Sequence, residues 1–224
     1  MLSSKLTVLA GLLSLATAHF HVEYPEWRAN SLSTPGASQY TFPCANISET
    51  TDLANRTQWP TSGGSLNLTV SHQWALTYVN LGIGTNVSAF NISLVSGFNQ
   101  TGNGTLCLKE TGKAALAAGI QKAGLTTEKL DGLQASLQII QVPSTGASLY
   151  NCADITFNAT AALLSDDQCS NSTGVGGVAI QNAGEATPAS TSPGASSSPT
   201  SAASRFLPEM GALAIAGLAA WLVL

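Results

Sequence analysis

From Leu66 to Ser71 apolar and polar side chains alternate strictly, Leu66, Leu68 and Val70 against Asn67, Thr69 and Ser71. A period of two puts each set on its own face of a strand, which makes this a half-buried strand. Trp74 to Leu81 resumes after a short turn and closes at Gly82-Ile83-Gly84. Val87 to Val95, Thr105 to Leu108, Ala135 to Val142 and Ser148 to Phe157 read as further strands. His19 to Trp27 is an extended opening segment before a Ser/Thr/Pro/Gly loop at 31–38. Only Lys113 to Gly119 and Thr126 to Leu133 have helical composition, as short helices or turns between strands. Short strands parted by turn signals predict an all-β chain, an antiparallel β-sandwich rather than alternating β-α units.

The two ends are of another kind. Met1 to Ala18 carries Lys5, an apolar run from Leu6 to Leu15 and small residues at 16 and 18. That is the layout of a secretory signal peptide, and cleavage after Ala18 makes His19 the first residue. Residues 171–203 are dominated by Ser, Thr, Gly, Ala and Pro, a composition too poor in apolar surface to offset ordering entropy, and read as a stalk. Residues 204–224 begin with a polar spacer holding Arg205 and Glu209 and end in the apolar run Met210 to Leu224. Those fifteen residues fall short of the about 20 that a membrane span needs. Small residues, spacer and apolar terminus match a GPI-attachment signal that is removed; a retained tail helix is the alternative. The folding domain is then 19–170.

Between His19 and Ser201 there are 6 Lys+Arg and 11 Asp+Glu with no basic cluster, so nucleic acid and anionic membrane surfaces are poor partner candidates. Cys44, Cys107, Cys152 and Cys169 in a secreted chain read as two disulfides, with three pairings open. A cysteine zinc site would want C-x₂₋₄-C spacing, which is absent. Nine N-x-S/T sequons begin at Asn46, Asn55, Asn67, Asn86, Asn91, Asn99, Asn103, Asn158 and Asn171, in keeping with passage through the secretory route.

Metal chemistry has few residues to work with. The histidines are His19, His21 and His72. A free amine on His19 would chelate one ion together with its own imidazole, and a distant histidine would complete a T-shaped set of three nitrogens suited to Cu(II). His72, at the end of the alternating strand, is the distant candidate. His21 offers a competing chelate through the amine, two deprotonated amides and its ring, but the first strand needs those amides for pairing. On a regular strand His19 and His21 share a face about 7 Å apart, so His21 is a supporting or transfer group, or a plain exposed histidine. Asp154 lies among Cys152, Ile155 and Phe157, where a solvated carboxylate is unusual. It reads either as an oxygen ligand beside the nitrogen plane, favouring Cu(II) and filling a position oxygen would need, or as a buried aspartate capping a turn. Asp166-Asp167 reads as a solvated acidic turn, and Glu23 and Glu26 as edge-strand charges.

Several stretches carry a resemblance: His19-Phe20, Tyr24-Pro25, Trp27-Arg28, Pro43-Cys44, Asn55-Arg56-Thr57, Trp59-Pro60, Gly63-Gly64-Ser65-Leu66 and Tyr78-Val79-Asn80-Leu81-Gly82. Gly104-Thr105-Leu106-Cys107-Leu108 and Asn151-Cys152-Ala153-Asp154-Ile155-Thr156-Phe157 extend it. Together they resemble the fungal copper-acquisition-factor-like domain, a relative of lytic polysaccharide monooxygenases, over about residues 19–160. The resemblance implies an immunoglobulin-like sandwich holding one copper through the N-terminal histidine, a second histidine and an aspartate, here His19, His72 and Asp154. It also implies copper handling at the cell surface by a GPI-anchored protein, without polysaccharide cleavage.

Three functions follow as expectations. The first is a monomeric, non-enzymatic surface protein that captures Cu(II) for a membrane importer or buffers it near the cell wall. A copper-dependent polysaccharide monooxygenase is the rival, and a flat exposed aromatic surface would favour it; Trp27, Trp59 and Trp74 sit in stretches more typical of cores. A glycosylated wall protein with no metal role is the third. Intact-mass analysis of secreted protein is expected to give His19 as residue one. A start two or more residues away would remove the chelating amine.

Overall fold

The computed structural model describes residues 19–180, and the expected leader at 1–18, the expected stalk from residue 181 on and the expected attachment signal at 204–224 lie outside that range. Nine strands follow the chain: β1 Phe20–Tyr24, β2 Thr57–Pro60, β3 Leu66–Val70, β4 Trp74–Ile83, β5 Ile92–Thr101, β6 Gly104–Leu108, β7 Gln134–Pro143, β8 Leu149–Asn158 and β9 Gly176–Ala179. They form a three-stranded sheet ordered β1-β3-β6 and a six-stranded sheet ordered β2-β8-β7-β4-β5-β9. The expected all-β sandwich is therefore the fold. Every pairing is antiparallel except β2 with β8, which run parallel.

The alternation at 66–71 works as expected. Leu66, Leu68 and Val70 are buried and meet Phe20 and Val22 of β1 and Leu106 of β6 in one core, while Thr69 is exposed. The facing sheet supplies Val79, Leu81, Leu137, Ile139, Ile155 and Phe157. Trp59 is fully buried against Phe157, and its indole N–H donates to the Ser65 carbonyl, so its one polar atom is satisfied.

Two local expectations shift, the fifth strand and Trp74, while the two helical stretches form a short helix and a turn as expected. Val87 to Val95 was the expected strand, whereas β5 runs Ile92–Thr101. The Val87 N–H is taken by the Glu49 carboxylate, which removes it from the ladder. Gly97, at φ 74°, sits where the β4–β5 register shifts between Thr77 and Val79, so a bulge carries the strand past an apparent turn signal. A helix, α1, spans Lys113–Lys122 and buries Leu116 and Ile120; at 126–133 only a short 3₁₀ turn, Thr127–Leu130, forms. Gly119 on α1 lies so close to Ile92 that an added Cβ would stand 2.3 Å from its Cγ2, and the helix can rest on β5 only with glycine there. Finally, Trp74 opens β4 in an exposed position rather than in the core.

The sheet also runs past residue 170. Thr105 exchanges hydrogen bonds with Ser172, the Cys107 N–H donates to Asn171, and β9 pairs with β5. The short run Gly176-Gly177-Val178-Ala179 hides this strand because backbone pairing, not side-chain burial, holds it.

The cysteines pair Cys44–Cys152 and Cys107–Cys169. The first ties the long segment between β1 and β2 to β8 across 108 residues of sequence; the second ties the end of the domain to β6. Replacing Cys44 and Cys152 together by alanine is expected to cost about 2–5 kcal/mol, seen as a lower urea midpoint with the far-UV dichroism of the folded baseline unchanged.

Candidate metal centre

His19 enters β1 and is bracketed by one residue across the ladder: its N–H donates to Ser71 Oγ at 3.0 Å, and Ser71 Oγ donates back to its carbonyl. His72 is therefore the next residue along from the one that grips His19. The alternation that buries Val70 turns His72 inward as well, and it is 9% exposed; its carbonyl accepts from Gln100 Nε2. His19 and His72 thus come to one end of the β1–β3 pair.

Behind His19 lies a buried polar clamp. The Phe20 N–H donates to Gln39 Oε1 at 3.2 Å, and the Phe20 carbonyl accepts from Gln39 Nε2 at 2.7 Å and from Asn151 Nδ2 at 3.1 Å. Ser31 Oγ accepts from Gln39 Nε2 and donates to Asn151 Oδ1. Gln39 so replaces the missing neighbour strand at the edge of the sheet, satisfying a peptide whose burial would otherwise cost a hydrogen bond. The linear amino-terminal chelate through His21 would have to break the Phe20 N–H bond to Gln39. Ser31, Gln39 and Asn151 were not candidates at the level of sequence; only the fold brings them together.

On the outer face of β1, His19 and His21 line one open cleft of about 530 Å³ with Ser31, Ser38, Gln39 and Thr69 among its walls. The His19 ring meets Tyr40 edge-on at 5.9 Å, and His21 lies over Trp27 at 5.0 Å, tilted by 37°. Tyr40 is 55% exposed, so one exposed aromatic ring lies beside His19, while Phe42, 65% exposed, packs edge-on against Tyr150.

Asp154 sits elsewhere. Ala153 and Ile155 face the core, so Asp154 points out of the opposite side of β8, under the segment between β1 and β2. Its Oδ1 accepts from Arg28 Nε at 2.9 Å and Ser136 Oγ at 2.7 Å, and its Oδ2 from the Thr50 N–H at 2.8 Å. Arg28 continues to Glu49 at 3.7 Å, and Glu49 bonds Arg56 at 2.8 Å, a buried network of two cations and two anions. The carboxylate is thus buried with both oxygens hydrogen-bonded, one of them by the irregular chain at Thr50. Asp154 lines a separate concavity with Glu26, Trp27, Arg28, Thr50 and Asn55, and it is not among the residues of the His19 cleft. Among the described residues no group of three or more His, Cys, Asp and Glu side chains could hold a metal ion. The nitrogen set of His19 and His72 reaches three only with an amine freed at His19. Asp166, by contrast, is the exposed acidic residue expected, paired with Lys109.

A family model for a BIM1-like copper acquisition factor matches residues 17–174, from just before His19 to just before β9. The chain belongs to that family. Among its relatives are the lytic polysaccharide monooxygenase-like protein ham-7 of Neurospora crassa, 34% identical over 199 residues that cover 79% of this chain and 81% of that protein. The lytic polysaccharide monooxygenase-like protein X325 of Aspergillus fumigatus is 31% identical, covering 70% and 74%. One of the same description from Hypocrea jecorina is 30% identical, covering 76% and 78%. The resemblance read from the motifs thus holds, and the family ties the chain to copper.

Breaking the network from one side leaves a buried guanidinium uncompensated. Asp154→Ala is expected to destabilise by about 3–5 kcal/mol, whereas Arg28→Met with Asp154→Leu should recover most of that loss. Urea unfolding of the three proteins checks the contrast.

Proposed function

We propose that the chain is a non-enzymatic cell-surface protein that captures extracellular Cu(II). Its leader is removed before His19, and the freed amine, the His19 ring and His72 supply three nitrogens. The observation that carries this reading is the Ser71 bracket, which delivers residue one to the strand end where His72 stands. Three nitrogens in a plane suit Cu(II), which also heads the affinity order among divalent ions. Asp154, with both oxygens engaged by Arg28, Ser136 and Thr50, is assigned to holding the fold rather than to the ion. A GPI lipid at the removed tail and a glycosylated stalk would tether the domain at the outer membrane leaflet, where a membrane importer could receive the copper.

Glycans fit the same picture. Asn46, Asn55, Asn86, Asn91, Asn103 and Asn171 are exposed, and none of the nine sequon asparagines lines the His19 cleft. Asn67, Asn99 and Asn158 are half-buried, and Asn67 Nδ2 donates to the Gln168 carbonyl, which makes it a poor carrier.

The polysaccharide monooxygenase reading has one observation in its favour, the exposed Tyr40 beside His19. Copper titration followed by EPR, on protein beginning at His19, tests the two together. One Cu(II) with three nitrogen couplings is expected, lost in His72→Ala and kept in His21→Ala and Asp154→Asn. Copper-loaded protein given ascorbate and polysaccharide is expected to release no oxidised oligosaccharides; copper-dependent soluble products would favour the enzyme.

A further inference from the structure

We infer that the outer cleft of β1 is a second copper position, one that takes Cu(I) between the imidazoles of His19 and His21. Both rings line the same cleft, on the face of β1 opposite Phe20 and Val22. Residues two apart on a strand stand about 7 Å from one another, a span that two imidazole arms close around one ion. The choice of ion follows from what else is there. The remaining walls are Ser31, Leu32, Ala37, Ser38, Gln39, Thr69 and Ser71, all without charge. Zn(II) wants about four ligands and hard divalent ions want carboxylates, and the cleft offers neither. Two neutral nitrogens and no anion are sufficient for a monovalent copper ion, which accepts low coordination and soft or borderline donors.

Trp27 fits this role. Its indole covers the His21 ring at 5.0 Å, fixing its tilt and keeping water from that side. Trp27 is itself held by its bridge to Ala153 and by the Arg28 N–H donated to the Cys152 carbonyl. Water exclusion favours the ion of lower charge, because the cost of burying a charge rises steeply with its size. Since His19 serves both positions, one ion is held at a time, and its valence decides whether the ring works with His72 or with His21. The ion enters as Cu(I), so no electron transfer is part of the site.

The position needs no free amine and so does not rest on the capture reading. The test uses two proteins, one beginning at His19 and one retaining Ala18, each titrated anaerobically with Cu(I) against a chromophoric Cu(I) chelator. Both are expected to bind one Cu(I). His21→Ala should weaken Cu(I) binding in both by no less than the about 10–100-fold that loss of a supporting partner costs a metal site, with Cu(II) affinity of the His19-start protein unchanged. Trp27→Leu, which leaves both rings in place, should weaken Cu(I) less. X-ray absorption should show two imidazole nitrogens. Cu(I) affinity untouched by His21→Ala, or Cu(I) binding that vanishes when Ala18 is retained, would overturn the proposal. Failure of the capture reading shows separately, as absence of Cu(II) on the His19-start protein. A retained cooperative urea transition of each variant verifies that it is folded.

Discussion

Everything on the outer side of the six-stranded sheet depends on one buried pairing, Arg28 with Asp154. Charges this deep are costly alone, and they are tolerated because each is matched: Asp154 by Arg28, Ser136 and Thr50, and Glu49 by Arg56 and the Val87 N–H. Arg56 also donates to the Ala135 carbonyl, so the network is stitched into β7 itself. The result is that the segment between β1 and β2, which has little regular structure, is fixed to β7 and β8, and the Cys44–Cys152 disulfide secures its middle. Hydrophobic burial could not do this, because that segment is mostly polar.

The fixed segment is what makes the first strand a precise place. β1 is an edge strand, and an edge peptide is normally left to water or to a stray partner. Here Gln39, carried on the fixed segment, closes the Phe20 peptide, and Asn151 from β8 doubles the grip. His19 is therefore the first residue beyond a fully satisfied peptide, anchored on one side and open on the other. Were the chain to begin at His19, as proposed, the metal site there would ordinarily suffer from fraying, and this clamp would counter it. Trp27 joins the two regions, stacking on His21 and lining the concavity of Asp154, so the buried charges and the cleft are mechanically one assembly.

Much was legible in the amino acids alone. The period-two pattern of Leu66, Leu68 and Val70 fixes a strand, its faces and hence the core, because side-chain alternation is local geometry. The motifs from His19-Phe20 to Ile155-Thr156-Phe157 disclosed the family, and with it copper. Cysteine pairing, the bulge at Gly97 and the pairing of β9 were beyond reach, since each depends on which distant backbone lies opposite. The same holds at the site. That His19 and His21 share a face follows from spacing, and that His72 comes just after a strand follows from the pattern before it. Only the tertiary structure decided that Asp154 turns to the far side of β8 toward Arg28, and that Asn151, three residues earlier in the same motif, is the β8 side chain that reaches β1. Sequence order tells which faces a strand has; which partner waits on each face is set by packing of elements more than a hundred residues apart.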